Sequence, residues 1–297
     1  MSESLNFLDP SVLSGLSNLE LRARTVVEGF LSGLHKSPNR GFSVEFNDYR
    51  HYQRGDDMRH VDWKLYARSD KFYIKQYEDE TNVRVVILLD VSASMDYTSG
   101  SVSKLNYGIT LASALAYFIM RQRDAVGLIT FDDEVQEYIP AKCRQPHLMR
   151  ILRTLAHVES GNKTNAVKPL SDLAASLHKK SMVILISDLL DDEERVINTL
   201  QNLRGMGNDV IAFHLMDEAE LKFPFNEASE FVDMENQETY ITSPAAIREA
   251  YLENLNEYLS FCKKKCQRSG IDYCLLNTSE PLDEALSAYM TKRARSF

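Results

Sequence analysis

Residues 83–94 read VRVVILLDVSAS, and this stretch indicates the architecture of the chain. Its first part, VRVVILLD, is a β-branched apolar run, which is typical of a strand buried on both faces of a parallel sheet. We therefore predict a strand at the centre of the sheet. Beyond it, Asp90, Ser92 and Ser94 place one carboxylate and two hydroxyls at alternate positions, so all three can turn toward one point above the sheet edge.

Strand and helix patterns alternate downstream of this run. Further strands are predicted at 125–131, 182–187, 209–216 and 271–276, and helices near 103–122, 146–158, 167–178, 192–205, 244–268 and 281–293. This alternation predicts an open, mostly parallel sheet with helices on both faces, a Rossmann-like α/β fold. Ligands on such sheets bind at the carboxyl ends of the strands.

The part of the chain before the sheet has a different character. A helix is predicted at 18–35 and a strand at 72–77, with a loop-rich, charged and aromatic stretch between them. We therefore divide the chain into residues 1–80, an N-terminal helix and charged aromatic segment packed on the main domain, and residues 81–297, the α/β domain.

Composition argues against several classes of protein. The 297 residues include 43 acidic and 34 basic side chains, a net charge of −9, which disfavours nucleic acid as a partner. The start MSESLNFLDP lacks the basic and apolar regions of a signal peptide, and the apolar helix at 105–120 is shorter than a bilayer requires. We expect a cytoplasmic protein without a transmembrane segment.

The four cysteines fit this expectation. Cys143, Cys262, Cys266 and Cys274 show no CxxC spacing, and two of them lie four residues apart in a Lys-rich helical stretch. This spacing gives neighbours on one helix face, without the pattern of a zinc knuckle. We therefore expect reduced structural thiols.

Two further loops bring oxygen ligands to the same rim of the sheet. Thr164 lies in the loop 161–165, and the strand 182–187 ends in Asp188. A hard cation such as Mg²⁺ (or Mn²⁺ or Ca²⁺) prefers oxygen ligands, and Mg²⁺ keeps some water in its octahedron. With only two carboxylates, an open coordination position stays electrophilic and suits a carboxylate of a partner protein. Helix capping and turn formation are the structural alternative for Asp and Ser after a strand.

This set of residues resembles the metal-ion-dependent adhesion site of von Willebrand factor type A domains, written DxSxS with a distant Thr and a distant Asp. The resemblance implies a protein-interaction module that is not an enzyme, with these metal ligands: Asp90, Ser92, Ser94, Thr164 and Asp188. One departure is visible. The final Asp often lies in a TDG turn, and here the turn reads Ser187-Asp188-Leu189.

Residues 41–80 are dense in aromatic side chains and in charges of both signs. From Glu45 to Glu80 there are nine acidic and seven basic residues, which argues against a groove that tracks phosphates. Several side chains could suggest a second metal site, but their irregular spacing and Arg neighbours favour a salt-bridged loop. These side chains are His51, Asp56, Asp57, His60 and Asp62.

The same segment resembles the signature of the bacterial domain-of-unknown-function-58 family. The matching positions are Tyr49-Arg50, Tyr52, Arg54-Gly55-Asp56-Asp57, Arg59, Val61-Asp62-Trp63, Ala67-Arg68 and 75–80. The resemblance covers nearly all of residues 20–280 and implies such a segment joined to a type A domain. It also implies a MoxR-type AAA+ ATPase as partner, in complex assembly or chaperone-like remodelling. Arg50, Asp62 and Trp63 are expected to pin the segment onto the domain.

Two other functions stay open. A Mg²⁺-dependent phosphatase or phosphotransferase would use Asp90 as its nucleophile, since aspartyl-phosphate enzymes place one at the end of a central strand. Enzymes similar to the haloacid dehalogenase type need a second Asp where this chain has Ser92, and neither a GxxxxGK[ST] nor a GxSxG motif is present. The other alternative is a structural scaffold with a degenerate metal site. The acidic stretch 217–238, with Phe223 and Phe225, is predicted to be a solvated surface loop.

Overall fold

The computed structural model describes residues 10, 18–36, 49–51, 73–75, 83–161, 180–190, 193–226, 229–232 and 239–296. The chain forms two compact units, Gly33–Asn82 and a larger unit made of Met1–Ser32 with Val83–Phe297. In the smaller unit, β1 (Tyr49–His51) and β2 (Tyr73–Lys75) pair in antiparallel fashion, with Tyr49 opposite Lys75. The predicted strand at 72–77 therefore corresponds to β2.

The larger unit is built on a six-stranded sheet. The strands of this unit are β3 (Arg84–Asp90), β4 (Ala125–Phe131), β5 (Val135–Lys142), β6 (Met182–Ser187), β7 (Asp209–Met216), β8 (Ser229–Val232), β9 (Thr239–Thr242) and β10 (Asp272–Asn277). The sheet has the order β10-β7-β6-β3-β4-β5, and β8 pairs with β9 separately. Every pairing in the sheet is parallel except that of β4 with β5. The predicted open, mostly parallel sheet is confirmed, with β3 in its interior.

The helices agree closely with the predicted alternation. They are α1 (Leu19–Lys36), α2 (Lys104–Arg121), α3 (Gln145–Ala156), α4 (Glu193–Gly205), α5 (Glu218–Lys222), α6 (Pro244–Arg268) and α7 (Asp283–Ser296), and a 3₁₀ helix spans Ala93–Asp96. The helix predicted near 167–178 lies outside the described residues. Among the residues that the structure describes, no helix has the length and apolar character to cross a membrane.

Helices cover both faces of the sheet. Leu88 of β3 belongs to a buried cluster with Val196 and Leu200 of α4. Its neighbour Leu89 lies against α2, where a Cβ on Gly108 would be only 3.0 Å from the Leu89 Cδ1 atom. Successive side chains of a strand point to opposite faces, so α2 and α4 lie on opposite sides of the sheet. The absence of a side chain at Gly108 allows α2 to approach β3 closely.

Two stretches of structure differ from the sequence prediction. Strand β5 was not predicted, because as an edge strand it buries only Ile139 and carries no continuous apolar run. The prediction of a solvated loop at 217–238 is wrong, since this stretch contains α5 and strand β8. Phe223, expected on the surface, is buried and packs against the Tyr251 ring at a centroid distance of 4.5 Å.

Helix α1 is tied to the unit that contains the sheet. Its residues up to Ser32 belong to that unit, and Val26, Val27 and Phe30 are buried. Arg22 Nη1 donates a hydrogen bond to Thr110 Oγ1 of α2 at 3.2 Å. The boundary between the two units lies between Asn82 and Val83, close to the division expected at residue 80. Residues of α1 up to Ser32 belong to the unit that contains the sheet.

Candidate metal centre

Asp90 and Asp188 lie where the strand order of the sheet reverses. From β3, the chain continues to β4 on one side, while β6 and β7 follow on the other side. Asp90 ends β3, Asp188 directly follows β6, and both carboxylates are fully buried. Open α/β sheets bind ligands at such a switch point, outside the carboxyl ends of the strands. The fold therefore places both predicted ligands at its ordinary ligand position.

The loop after β3 brings Asp90, Ser92 and Ser94 together. The Ser92 backbone N–H donates to Asp90 Oδ1 at 3.0 Å, and the Ser92 and Ser94 Oγ atoms are 3.1 Å apart. Ligands in adjacent positions of a Mg²⁺ octahedron are about 2.8–3.0 Å apart, because each lies about 2.0–2.1 Å from the ion. The distance of 3.1 Å between the two hydroxyls is close to this spacing, and their oxygen chemistry fits a hard cation.

The Ser92 side chain does not cap the helix that follows it. Ser92 is the N-cap residue of the 3₁₀ helix Ala93–Asp96, yet within the described part of the chain its side chain makes no capping hydrogen bond. Its hydroxyl faces Ser94 instead. The Ser92 side chain is thus directed to the shared point above the sheet edge.

The second oxygen of Asp90 is held by a residue that the sequence analysis did not assign to the site. Ser187 Oγ donates to Asp90 Oδ2 at 2.6 Å. Burial, and secondarily the nearby negative charge of Asp188, raises the pKa of Asp90 to about 7. The charge of Asp188 makes the ionised form of Asp90 less favourable, and a bound cation would relieve this repulsion.

Lys104, the first residue of α2, was also missed and is the main cation of the site. Its side chain is fully buried, and Nζ donates to Asp188 Oδ2 at 2.8 Å and to Glu220 Oε1 at 2.7 Å. Burial alone would lower the pKa of Lys104, but the two carboxylates raise it above its ordinary value. Lys104 therefore carries its charge inside the protein.

The turn after β6 keeps the backbone form that a glycine would permit. Leu189 has a positive φ of 53°, in the left-handed region that non-glycine residues rarely adopt. The Leu189 N–H donates to Ser187 Oγ at 3.0 Å, and Tyr258 Oη of α6 donates to the Leu189 carbonyl at 2.5 Å. Leu189 therefore adopts the left-handed conformation at the position that glycine occupies in a TDG turn.

Thr164 lies outside the described residues, but the start of its loop is described. The Gly161 N–H donates to the Val91 carbonyl at 2.6 Å, so the chain passes beside the DxSxS loop three residues before Thr164. A Cβ on Gly161 would overlap Asp132 Oδ2, which explains the need for glycine at this point. The assignment of Thr164 as a ligand stays a prediction.

The second metal site considered for residues 41–80 lies largely outside the described residues, as do Asp62 and Trp63, expected to pin that segment. His51 and Arg50 belong to β1. Among the described residues, no group of three or more His, Cys, Asp or Glu side chains is placed to hold a metal ion. The candidate centre thus depends on hydroxyls as well as on carboxylates.

Comparisons with known proteins cover most of the chain. The family described as "Protein of unknown function DUF58" matches residues 48–258. An uncharacterized protein of Mycobacterium tuberculosis (strain ATCC 25618 / H37Rv) is 25% identical over 221 residues, which cover 73% of this chain and 68% of the relative.

Solved structures resemble the fold. An aerotolerance-related membrane protein from Bacteroides fragilis NCTC 9343, with multiple mutations to serines, matches with a TM-score of 0.50 and 16% identity, covering 72% of this chain and 99% of that chain. The SpRpn10 VWA domain matches with a TM-score of 0.42 and 12% identity, covering 70% and 94%. The six-stranded, mostly parallel sheet with helices on both faces confirms the predicted α/β fold, and at these identities the likeness to solved structures concerns the fold alone.

Proposed function

Since the chain belongs to the DUF58 family, which is described only as being of unknown function, we propose from the geometry of its own site that it is a divalent-metal-dependent protein-interaction module. The proposed metal ligands are Asp90, Ser92, Ser94, Thr164 and Asp188. The observation that carries the proposal is the Ser92–Ser94 hydroxyl pair, 3.1 Å apart beside buried Asp90 at the carboxyl edge of the sheet.

The chain's own groups suit an ion that binds a second protein. Mg²⁺ would supply a Lewis-acidic position for a carboxylate oxygen of the partner. Asp90 is oriented by Ser92 and Ser187, and Asp188 is already paired with Lys104. Neutral hydroxyls donate weakly, so an open coordination position of the ion stays electrophilic. An acidic side chain of a partner would occupy that position.

The rim also offers an apolar contact. Leu190, two residues after Asp188, leaves 48% of its surface exposed. A partner that places an Asp or Glu on the ion would cover Leu190 at the same time. The partner that we propose is a MoxR-type AAA+ ATPase, in complex assembly or chaperone-like remodelling, on the basis of the family resemblance.

The enzymatic alternative gains no support from the site. Ser92 occupies the position where an aspartyl-phosphate enzyme of the haloacid dehalogenase kind carries its acid–base carboxylate, and its hydroxyl pairs with Ser94. We therefore propose binding as the function, with Asp90 as a ligand.

Metal titration tests the first half of this proposal. Mg²⁺ and Mn²⁺ are titrated calorimetrically into chelator-stripped protein, beside the double variant Ser92→Ala/Ser94→Ala and the control Ser101→Ala, which changes an exposed serine of the next loop. We expect saturable binding in the wild type and the control, and an affinity at least about tenfold lower in the double variant. Absence of binding at millimolar metal, or equal affinity in all three proteins, would contradict the metal site.

A binding assay tests the second half. The purified MoxR-type ATPase is captured on immobilised protein in Mg²⁺ and then in excess chelator. We expect capture that requires the metal and is lost in Ser92→Ala/Ser94→Ala. Capture that survives the chelator would show that the ATPase binds elsewhere on the chain.

A further inference from the structure

Lys104 occupies a position that is unfavourable for a cation unless it serves the site. It begins α2, where the positive end of the helix dipole disfavours a positive charge. Its side chain has 0% exposure, and burying an ammonium group costs several kcal/mol unless it is paired. The ion pairs with Asp188 and Glu220 offset this cost, and they form only because the ends of β6 and β7 lie beside the start of α2.

The environment of the Lys104 ammonium shows how it can act. Nζ donates to Asp188 Oδ2 and to Glu220 Oε1, and the centroid of the Tyr97 ring is 5.8 Å away. The ammonium is therefore paired with two carboxylates and is placed to act through Asp188. Lys104 is a positioning residue in this sense.

Glu220 is fixed in place as the second partner of Lys104. The Asp217 N–H donates to Glu220 Oε2 at 2.7 Å, which completes the capping box of α5. Tyr251 Oη donates to the Glu220 carbonyl at 3.0 Å, and the Ser99 N–H donates to Asp217 Oδ2 at 3.0 Å. These contacts hold α5 against the loop that follows the DxSxS motif. Glu220 is therefore held where its carboxylate and that of Asp188 both pair with the Lys104 ammonium.

The charged side chains of the site carry a net negative charge that Lys104 reduces. Asp90, Asp188 and Glu220 contribute three carboxylates, and Lys104 contributes one ammonium. The difference is two negative charges, which one divalent cation neutralises. Without Lys104, Asp188 would be free to give its full charge to the ion, and the ion would be bound more tightly but would attract a partner's carboxylate less.

We propose that Lys104 is a built-in counter-cation that weakens metal binding by holding Asp188 and thereby keeps the bound metal electrophilic toward a partner's carboxylate. This inference rests on the proposed function. It assigns Lys104 a role in setting affinity, and it assigns Glu220 the opposite role, because Glu220 draws part of the Lys104 charge away from Asp188.

Three single variants separate this role from a general effect of charge or folding. Lys104→Met removes the buried cation at similar side-chain length, and Glu220→Gln removes one of its two partners. The control Arg121→Met makes the same change of net charge as Lys104→Met, at the exposed far end of the 18-residue helix α2, about 25 Å away. The affinity for Mn²⁺ alone is measured by calorimetry and by electron paramagnetic resonance of free Mn²⁺.

We expect Lys104→Met to bind Mn²⁺ about tenfold or more tightly than the wild type, Glu220→Gln about threefold less tightly, and Arg121→Met within about a factor of two. A merely structural role for Lys104 would leave Mn²⁺ affinity equal or lower in Lys104→Met. That result in a variant folded by circular dichroism would overturn the inference.

If Lys104→Met does not fold, Glu220→Gln decides, since binding equal to or tighter than that of the wild type would overturn the inference as well. If the wild type binds no Mn²⁺, the proposed function itself is refuted. If the wild type binds Mn²⁺ but the affinities of the variants change in the opposite direction, only the role of Lys104 is refuted.

Discussion

The backbone of Leu189 offers a quantitative test of the turn that presents Asp188. Leu189 has a φ of 53° and its side chain is only 3% exposed, so the position combines an unfavourable backbone with a well-buried side chain. A left-handed conformation costs a non-glycine residue about 1–2 kcal/mol. Burial of a leucine side chain stabilises by about 1.5–3 kcal/mol, which offsets this cost.

Four variants isolate the backbone contribution. Leu189→Ala and Leu189→Gly both remove the isobutyl group beyond Cβ, at a shared cost of about 2–5 kcal/mol, so their difference reports the backbone and the one remaining methyl group. Leu185→Ala and Leu185→Gly provide the matched pair at a fully buried position of strand β6. In the strand, glycine is expected to be about 0.5–1 kcal/mol less stable than alanine.

At Leu189 the sign is expected to reverse. Glycine relieves about 1–2 kcal/mol of strain and loses about 0.5–1 kcal/mol through its greater freedom in the unfolded chain, so Leu189→Gly should exceed Leu189→Ala in stability by up to about 1.5 kcal/mol. Equilibrium unfolding in urea measures the four free energies, provided that the slopes agree within each pair. If the glycine variant is less stable than the alanine variant by the same margin at positions 189 and 185, the turn is not strained and the reasoning is refuted.

Three further predictions concern the site and the thiols. Gly161→Ala should weaken Mg²⁺ binding by about tenfold in calorimetry, because its Cβ would overlap Asp132 and displace the loop toward Thr164; unchanged affinity would contradict this. Mg²⁺ at a hundred times its Kd should raise the unfolding free energy by about 2.7 kcal/mol, an increase that Ser92→Ala/Ser94→Ala should lose. Iodoacetamide should modify the exposed Cys143 in the native protein, whereas Cys262 and Cys266 should react only on unfolding. Both of these thiols are fully buried, and burial raises the pKa of Cys266 to about 12. Mass spectrometry identifies the modified thiols.

The strands of the parallel sheet were predictable because burial on both faces requires apolar runs. The predicted strands at 125–131, 182–187 and 209–216 coincide with β4, β6 and β7. Strand β5 was not predicted because it lies at the edge of the sheet, buries only Ile139 and has a mostly polar sequence. Asp217 and Glu220, spaced as a capping box, carried a local signal for α5 that the acidic composition of the stretch concealed.

The candidate site was predictable only in the residues that follow strands. Asp90, Ser92, Ser94 and Asp188 meet at one rim because parallel strands end at one edge. Lys104 could not be inferred, since a lysine at the start of a helix ordinarily lies in solvent. Its burial depends on Glu220, which is 116 residues further along the chain. Long-range pairing of this kind leaves no trace in local sequence pattern.

Helix α1 has a consequence for the synthesis of the chain. It lies before the unit Gly33–Asn82 in sequence but is grouped with the sheet, and its hydrogen bond from Arg22 to Thr110 spans 88 residues. At about 5–20 residues per second, the ribosome needs about 4–18 s to deliver Thr110 after Arg22. During this interval the apolar face that includes Val26 and Phe30 has no finished surface to cover it. The covering of this apolar face therefore waits for the synthesis of the whole intervening unit Gly33–Asn82 and of helix α2.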